Sequence, residues 1–299
     1  MGTVSSSIAL VGPGAIGSTV AALLYAAGHR VTLCGHTPRE RIEVRPDHAG
    51  DPIVVPGPVA TDPDEVDGPV DVVLLAVKDT HNDGAAGWLR KLCDERTVVC
   101  VLQNGVEQVE RVGRISPSSH VVPAVVWFSA ETQPAGWVRL RTDVRLVLPE
   151  GEDAQALAAV LRRAGLAVEQ DPDFHTAAWR KLLFNALAGF MVLARRRSGM
   201  FRRADIAALA RRYLTECLAV ARAEGAELPD TVIAEIVEMF AAAPEDLTTS
   251  MLSDAEAHRR LEWDIRNGVI VRKAAAHGLT TPISDVVVAL LAAASDGPG

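Results

Sequence analysis

A glycine-rich turn near the start of the sequence constrains the fold more than any other feature. Residues 8–17 read IALVGPGAIG, in which a short apolar run is followed by glycines at positions 12, 14 and 17. The residues after this turn, up to Ala27, place apolar side chains at helical spacing, and Gly28 favours the end of that helix. A strand, a glycine turn and a helix in this order predict the first part of a parallel α/β nucleotide-binding unit.

The glycines of this turn have distinct mechanical roles in such a unit. Gly12 permits the tight turn, Gly14 permits close approach of a pyrophosphate, and Gly17 permits close packing of the helix on the strand. The first helical residues, Ala15 and Ile16, would offer unpaired N–H groups to the phosphates. These five residues are therefore predicted to bind a dinucleotide. The alternative is a turn that only packs a helix against a sheet.

The end of the second predicted strand indicates which dinucleotide is bound. Residues 30–34 (RVTLC) are predicted to form this strand, and sites for NAD usually place an acidic residue at its end. Here the chain continues GHTPRER, with His36, Thr37 and Arg39 in the region where an acid is expected. Cations and a hydroxyl suit a 2′-phosphate, so the sequence favours NADP(H) over NAD(H). The alternative for Arg39 and Arg41 is that they are solvated loop charges.

Length, charge and composition limit the classes of function. A chain of 299 residues is long enough for about two domains. The net charge of −8 argues against a nucleic-acid partner, which would need a basic surface. No apolar stretch approaches the roughly 20 residues that cross a bilayer, so no membrane partner is expected. The four cysteines form no metal-ligand cluster, so no metal is predicted. We expect a cytoplasmic protein that binds a small molecule.

The pattern of apolar residues changes about halfway along the chain. Residues 70–77, 97–102 and 121–128 are continuous apolar runs, typical of strands buried on both faces of a parallel sheet. Residues 136–148 alternate apolar and polar side chains, which predicts a half-exposed antiparallel pair. From residue 174 onward the pattern is helical. The predicted fold is an α/β Rossmann-type N-terminal domain (residues 1–170) followed by an all-α C-terminal domain (residues 171–299).

Several polar residues stand where chemistry could occur. Lys181 and Asn185 lie four residues apart, on one face of a helix that is otherwise almost wholly apolar. They could line a cavity, or the lysine could extend its ammonium group into water. Lys78 and Asn104 each follow an apolar run, beyond the carboxyl ends of predicted strands, where α/β folds bind ligands. Each could equally be an ordinary turn residue.

A second set of polar residues recurs at intervals of four. Asp254, His258, Glu262 and Arg266 have the spacing of a solvent-facing helical stripe stabilised by salt bridges. Taken alone, the spacing predicts that Glu262 is a surface residue.

Five motifs, in the right order and over almost the whole chain, resemble one family. They are GPGAIG near the N-terminus, AVK ending at Lys78, QNG around Asn104, W-x-K-L-x-x-N over residues 179–185, and SML…E-x-D-x-x-N-G over residues 250–268. Together they resemble the 2-dehydropantoate 2-reductase (ketopantoate reductase) family. The glycine motif is unspecific, whereas the two motifs of the helical domain are specific.

The resemblance implies an activity and a role for each matching residue. The activity is NADPH-dependent reduction of a 2-oxo acid to a 2-hydroxy acid, here ketopantoate to pantoate in pantothenate biosynthesis. By position, Lys181 matches the general acid of the family and Glu262 matches its acidic substrate-binding residue. Both are expected to be catalytic, with Glu262 orienting the lysine or accepting a hydrogen bond from a substrate hydroxyl. Asn185 and Ser250 match positions that contact the substrate. Lys78 and Asn104 match residues beside the nicotinamide.

The sequence departs from the family pattern at Gly189, where the family usually carries a second asparagine. This departure predicts a lost hydrogen bond to the substrate and a more open site. It leaves as alternatives a reductase of a different 2-oxo acid or biosynthetic ketone, and a non-catalytic NADP(H)-binding sensor. An arginine cluster at residues 195–197 is also atypical; it is predicted to be a solvated helix end, with binding of an acidic substrate group as the alternative. A homodimer is left open.

Overall fold

The structure is a computed structural model that describes residues 6–47 and 50–296. The chain divides into two compact units, Met1–Phe174 and His175–Gly299. The first combines strands with helices and the second is helical, which confirms the predicted fold class.

The first unit contains twelve described strands and four described α-helices. The strands are β1 (Ser7–Val11), β2 (Arg30–Cys34), β3 (Arg41–Pro46), β4 (Ile53–Pro56), β5 (Val72–Leu75), β6 (Val98–Val101), β7 (His120–Pro123), β8 (Val125–Trp127), β9 (Ala130–Thr132), β10 (Val138–Leu140), β11 (Arg145–Pro149) and β12 (Ala167–Asp171). The helices are α1 (Ala15–Ala26), α2 (Asn82–Leu92), α3 (Gln108–Gly113) and α4 (Glu152–Arg163). The domain boundary placed after residue 170 from the sequence falls at the end of β12.

Five of these strands form a parallel sheet in the order β2-β1-β5-β6-β7. Val11, the last residue of β1, pairs with Cys34 on one side and with Leu75 on the other. From β1 the chain therefore continues to β2 on one side of the sheet and later to β5 on the other side. Open α/β sheets bind ligands at such a switch point, where the strand order reverses. In the same register, Leu75 of β5 pairs with Val101 of β6.

The central strands are buried on both faces, as their continuous apolar sequences predict. Ile8 and Leu10 belong to one hydrophobic cluster, which includes residues of α1 and α4. Ala9 and Val11 belong to a second cluster, which includes residues of α2. Because side chains alternate along a strand, the two clusters lie on opposite faces of the sheet.

Two expectations about the remaining strands are wrong. The apolar run at residues 121–128 is not one strand: β7 ends at Pro123 and β8 begins at Val125, and the two lie in different sheets. The alternating stretch at residues 136–148 is not a hairpin. Its strand β10 lies in a four-stranded sheet, β4-β3-β10-β9, whereas its strand β11 lies in a three-stranded sheet, β12-β11-β8.

The second unit is built around α5 (Phe174–Ala194). The other described α-helices are α6 (Ala204–Ala223), α7 (Thr231–Ala242), α8 (Ser250–Glu256), α9 (Val269–Ala276) and α10 (Pro282–Ser295). A π-helical turn, Asp264–Gly268, leads directly into α9.

Helix α5 is the core of this unit. Phe184 of α5 stacks on Phe240 of α7 with 4.5 Å between ring centroids, and Phe190 packs against Tyr213 of α6. In length and composition α5 would suit a membrane span, so the expectation that no apolar stretch approaches that length is wrong. Most of its apolar window is buried within the protein, which is the pattern of a core helix.

Candidate active site

The turn between β1 and α1 has the shape that a dinucleotide requires. Gly12 has φ +95°, and a Cβ atom there would lie 2.6 Å from the backbone nitrogen of Val77. A Cβ atom at Gly17 would lie 2.6 Å from the Cβ atom of Ala76. By contrast, a Cβ atom built at Gly14 would have no described atom within 4 Å apart from Gly14 itself and its neighbours along the chain. Two glycines are therefore required by close packing, and the third faces open space where a ligand could approach.

The N-terminus of α1 lies at the same place. The helix begins at Ala15, and no side chain of the described residues caps it. The N–H groups of its first turn, including those of Ala15 and Ile16, have no intrahelical partners. Together with the positive end of the helix dipole they form a site for an anion. This geometry fits the pyrophosphate of a dinucleotide cofactor.

The loop after β2 adjoins the glycine turn. The Gly12 N–H donates to the Cys34 carbonyl at 2.9 Å, so β2 ends beside the turn. From this loop Arg39 reaches back, and its Nη1 donates to the Pro13 carbonyl at 3.3 Å. The exposed His36 ring is hydrogen-bonded to its neighbour Thr37. Arg41 is exposed and belongs to β3. The loop therefore brings one cation, Arg39, against the glycine turn.

Lys78 and Asn104 lie beyond the ends of two neighbouring strands. Lys78 follows β5 and Asn104 follows β6, and both residues are half-buried. Because β1, β5 and β6 are adjacent and parallel, their carboxyl ends lie at one edge of the sheet. Lys78 and Asn104 therefore share an edge with the glycine turn, as the prediction for a nicotinamide site requires.

A hydrogen-bond network that the sequence did not reveal fixes these two loops. Gln103, next to Asn104, donates from Nε2 to the Val77 carbonyl at 2.9 Å and to Asn82 Oδ1 at 2.6 Å. Arg111 joins the loops a second time, through Asp79 at 2.9 Å and Glu107 at 2.8 Å. No local sequence pattern announces such a network, because its partners come from separate loops.

In the helical unit, Lys181 is held in an environment that disfavours its charge. The side chain is half-buried, and its Nζ lies 5.1 Å from the centroid of the Phe184 ring. Desolvation, together with repulsion from Arg266, lowers the pKa of Lys181 from 10.5 to about 7. Asn185, one turn further along α5, is buried. The geometry favours a lined site over a lysine that extends into water.

Glu262 lies in a buried ion pair. Its Oε2 accepts from Arg266 Nη2 at 3.0 Å, and the two side chains are 7% and 3% exposed. The same Nη2 donates to Ser250 Oγ at 3.1 Å. Arg266 thus connects Ser250 and Glu262, two of the residues that the family resemblance assigned to the substrate. The sequence analysis did not assign Arg266 itself to the site.

The interpretation of the four-residue spacing from Asp254 to Arg266 as a solvent-facing stripe is wrong. Glu262 and Arg266 do not belong to a solvent-facing stripe, because the chain leaves α8 at residue 256 and turns through His258, whose φ is +53°. Asp254 is also buried, with its carboxylate paired to Arg259 at 2.9 Å. The only sequence signal for the buried pair was the spacing itself, which does not distinguish a buried pair from an exposed one.

The surroundings of Gly189 contradict the expected open site. The residue is buried, and a Cβ atom there would lie 3.0 Å from Leu291 Cδ1 and 3.1 Å from Asn267 Nδ2. Asn267 is fully buried and donates from Nδ2 to the Ala186 carbonyl and to Tyr213 Oη, both at 2.9 Å. The position is therefore packed against α10 and the π-helical turn, and the absent side chain opens no space in the site.

The arginine cluster lies at the end of α5. Arg195, Arg196 and Arg197 are all exposed, and Arg195 has φ +50° as the chain leaves the helix. Arg197 is paired with Glu256 at 2.9 Å. These positions agree with the expected solvated helix end.

Known proteins resemble this chain over its full length. It matches two family models, described as "Ketopantoate reductase PanE/ApbA" over residues 8–153 and "Ketopantoate reductase PanE/ApbA C terminal" over residues 173–295. A 2-dehydropantoate 2-reductase of Mycobacterium tuberculosis is 69% identical, with 99% of this chain and 100% of the relative aligned. One of Caulobacter vibrioides is 38% identical, with 97% and 99% aligned. A solved structure of a dimeric ketopantoate reductase from Staphylococcus aureus superposes with a TM-score of 0.89 at 26% identity, covering 98% of this chain and all of the other.

Proposed function

Because the chain belongs to the ketopantoate reductase family, we propose that it reduces 2-dehydropantoate to pantoate. The protein is an oxidoreductase, and its substrate is a 2-oxo acid that becomes a 2-hydroxy acid. The observation that carries the proposal is Lys181, a lysine with its pKa lowered to about 7 in the same unit as the buried Glu262–Arg266 pair. The product would serve pantothenate biosynthesis.

The cofactor is a nicotinamide dinucleotide, and we propose that it is NADP(H). The glycine turn and the start of α1 would hold the pyrophosphate, with Lys78 and Asn104 beside the nicotinamide. Two observations support the phosphorylated form: no acid stands between Gly35 and Arg39, and Arg39 lies against the glycine turn. His36 is the second candidate for the 2′-phosphate because it lies in the same loop.

The chemistry follows from the residues of the helical unit. When bound, the reduced nicotinamide supplies hydride to the ketone carbon of the substrate. Lys181 donates a proton to the ketone oxygen as negative charge develops there. A pKa of about 7 suits this role, since the ammonium form is present at neutral pH and gives up its proton readily. Asn185 and Ser250 offer neutral hydrogen bonds to the substrate, and Glu262 fixes the guanidinium of Arg266.

A panel of 2-oxo acids, each assayed by the loss of NADPH absorbance, tests the proposed function. We expect ketopantoate to give the highest kcat/KM, because relatives over the full chain are 2-dehydropantoate 2-reductases and packing at Gly189 leaves no extra space for a bulkier substrate. A neutral ketone and an aldehyde of similar size serve as controls. Preference for another 2-oxo acid would contradict the substrate assignment, and reduction of none would contradict the reaction.

We further propose that the protein is a homodimer. The support is the similarity of the fold to the Staphylococcus aureus enzyme, which is described as dimeric.

A further inference from the structure

Arg266 is a buried charged residue whose role neither the sequence nor the proposed reaction explains. Its side chain is 3% exposed and lies in the π-helical turn, four residues after Glu262. Arginine keeps its charge in proteins, so this position holds a permanent cation. Burying such a charge costs free energy unless partner groups compensate it.

Among the described residues, the guanidinium of Arg266 is hydrogen-bonded to one carboxylate and one neutral hydroxyl. Glu262 supplies one carboxylate, at 3.0 Å from Nη2, and the other acceptor is the neutral Ser250 hydroxyl. Lys181 is a second basic group, near enough for its charge to be opposed by that of Arg266. Two basic side chains, Lys181 and Arg266, are therefore close enough in the helical unit to repel each other. Two neighbouring cations of this kind are suited to binding an anion.

The guanidinium of Arg266 also has N–H donors that are not used in hydrogen bonds to the described residues. It carries five N–H groups in a planar fork that matches a carboxylate. Both of its hydrogen bonds within the described residues come from one nitrogen, Nη2. Its Nε is buried and has no hydrogen-bond partner among those residues. An unsatisfied buried donor beside a second basic group is a place for an acceptor that a ligand brings.

We propose that Arg266 binds the carboxylate of the 2-oxo acid and thereby selects anionic substrates over neutral ketones. The inference rests on the proposed function, which supplies a substrate with a carboxylate next to the reacting ketone. Glu262 then serves mainly to orient the guanidinium. Lys181 is left for the ketone oxygen, so that each cation has its own oxygen of the substrate.

The test compares a 2-oxo acid with its amide, which keeps the ketone and loses the charge. We expect the wild-type protein to prefer the acid in kcat/KM by roughly 10- to 100-fold, the range for a hydrogen bond to a charged group. In Arg266→Met this ratio should fall to about 1, and in Arg266→Lys, which keeps the charge but loses the fork, it should be intermediate. Both substrates are assayed on one preparation, so a partial loss of active protein cancels in the ratio.

The chain offers a matched control and a route around misfolding. Arg259→Met removes an exposed arginine of the same segment, paired with Asp254, and should leave the ratio unchanged. Should Arg266→Met fail to fold because Glu262 loses its partner, the double variant Arg266→Met/Glu262→Gln removes both buried charges. Calorimetric titration with the 2-hydroxy acid and its amide gives a second readout, in which only the acid should lose affinity in the Arg266 variants.

The outcomes separate this inference from the function on which it rests. If the wild-type protein reduces no 2-oxo acid, the proposed function is wrong. If the wild-type protein is active but does not distinguish acid from amide, or if folded Arg266 variants keep the wild-type ratio, then only the assignment of Arg266 is overturned.

Discussion

The ammonium group of Lys181 lies where charge is disfavoured, and this fixes the pH range in which the residue can act as an acid. Burial and repulsion from Arg266 lower its pKa to about 7, so the protonated form is present below that pH and is lost as the pH rises through it. The profile of kcat/KM reports the free enzyme. We therefore expect kcat/KM for ketopantoate to fall about tenfold per pH unit on the alkaline side of pH 7.

The variant Lys181→Met tests whether deprotonation of the lysine causes the fall in kcat/KM above pH 7. Loss of the general acid should lower kcat by roughly 10²–10⁴-fold, while NADPH still binds. The remaining kcat/KM should no longer fall as the pH rises above 7. Lys91→Met, which changes a half-buried lysine of α2, is the control and should keep the wild-type profile. A near-normal kcat in Lys181→Met would mean that the lysine is structural.

Gly189 shows how one residue can be misjudged when its neighbours are unknown. An asparagine at this position must displace Leu291 or Asn267, because even a Cβ atom lies within 3.1 Å of both. We expect Gly189→Asn to lower the free energy of unfolding by about 1–3 kcal/mol, as overpacking does, and not to improve ketopantoate reduction. Urea unfolding measures the first effect. Gly84→Asn, in a helix where a Cβ atom has no described neighbour within 4 Å, is the control. Faster reduction with unchanged stability would restore the open-site interpretation.

At the scale of elements, the loop after β2 decides the choice of cofactor. Arg39 contacts the glycine turn, whereas Arg41, two residues away, is exposed on β3. We expect Arg39→Ala to raise the KM for NADPH several-fold to about 100-fold, the value of a charge-assisted contact, and to leave the KM for NADH little changed. Arg41→Ala should change neither. Equal kcat/KM for NADPH and NADH in the wild-type protein would refute the NADP(H) assignment.

Elements were predictable where the sequence pattern is local. The turn at residues 8–17 contains strand, glycines and helix start in ten residues, and α5 begins at residue 174, where the helical pattern was predicted to begin. Strand pairing was not predictable in the same way. Alternation in residues 136–148 indicates that one face is exposed, but β10 pairs with β3, from which it is separated by some ninety residues. Such partners are chosen by tertiary packing, which no short window contains.

The candidate site could likewise be predicted where its residues belong to local motifs, and not where they depend on tertiary packing. Lys181, Asn185, Glu262 and Ser250 came from motifs, which a sequence carries directly, although their roles remain predictions. Arg266 lies within the motif at residues 250–268 but was not predicted to be a site residue. The reason is that spacing alone does not distinguish a buried ion pair from an exposed one. Arg266 is buried in the π-helical turn, which follows the turn at His258, and neither turn has a distinct sequence signature here.

At the scale of the whole molecule, a family assignment constrains activity more than the fold does. Parallel α/β units with a glycine turn serve many reactions, so the first unit alone leaves the chemistry open. The match of the helical unit to the family's C-terminal model narrows it to one reductase class. The cytoplasmic location expected from the sequence stays a prediction.

The assembly state gives the last prediction. If the protein is a homodimer, light scattering after gel filtration should give a mass of about twice 31.8 kDa. Each chain carries a formal net charge of −8, so association brings like charges together. Salt screens this repulsion, and we therefore expect the dimer to resist dilution better at high ionic strength than at low ionic strength. A mass of one chain at every protein concentration and salt level would contradict the proposal. A dimer that weakens with added salt would instead indicate that ion pairs between the chains outweigh the repulsion of their net charges.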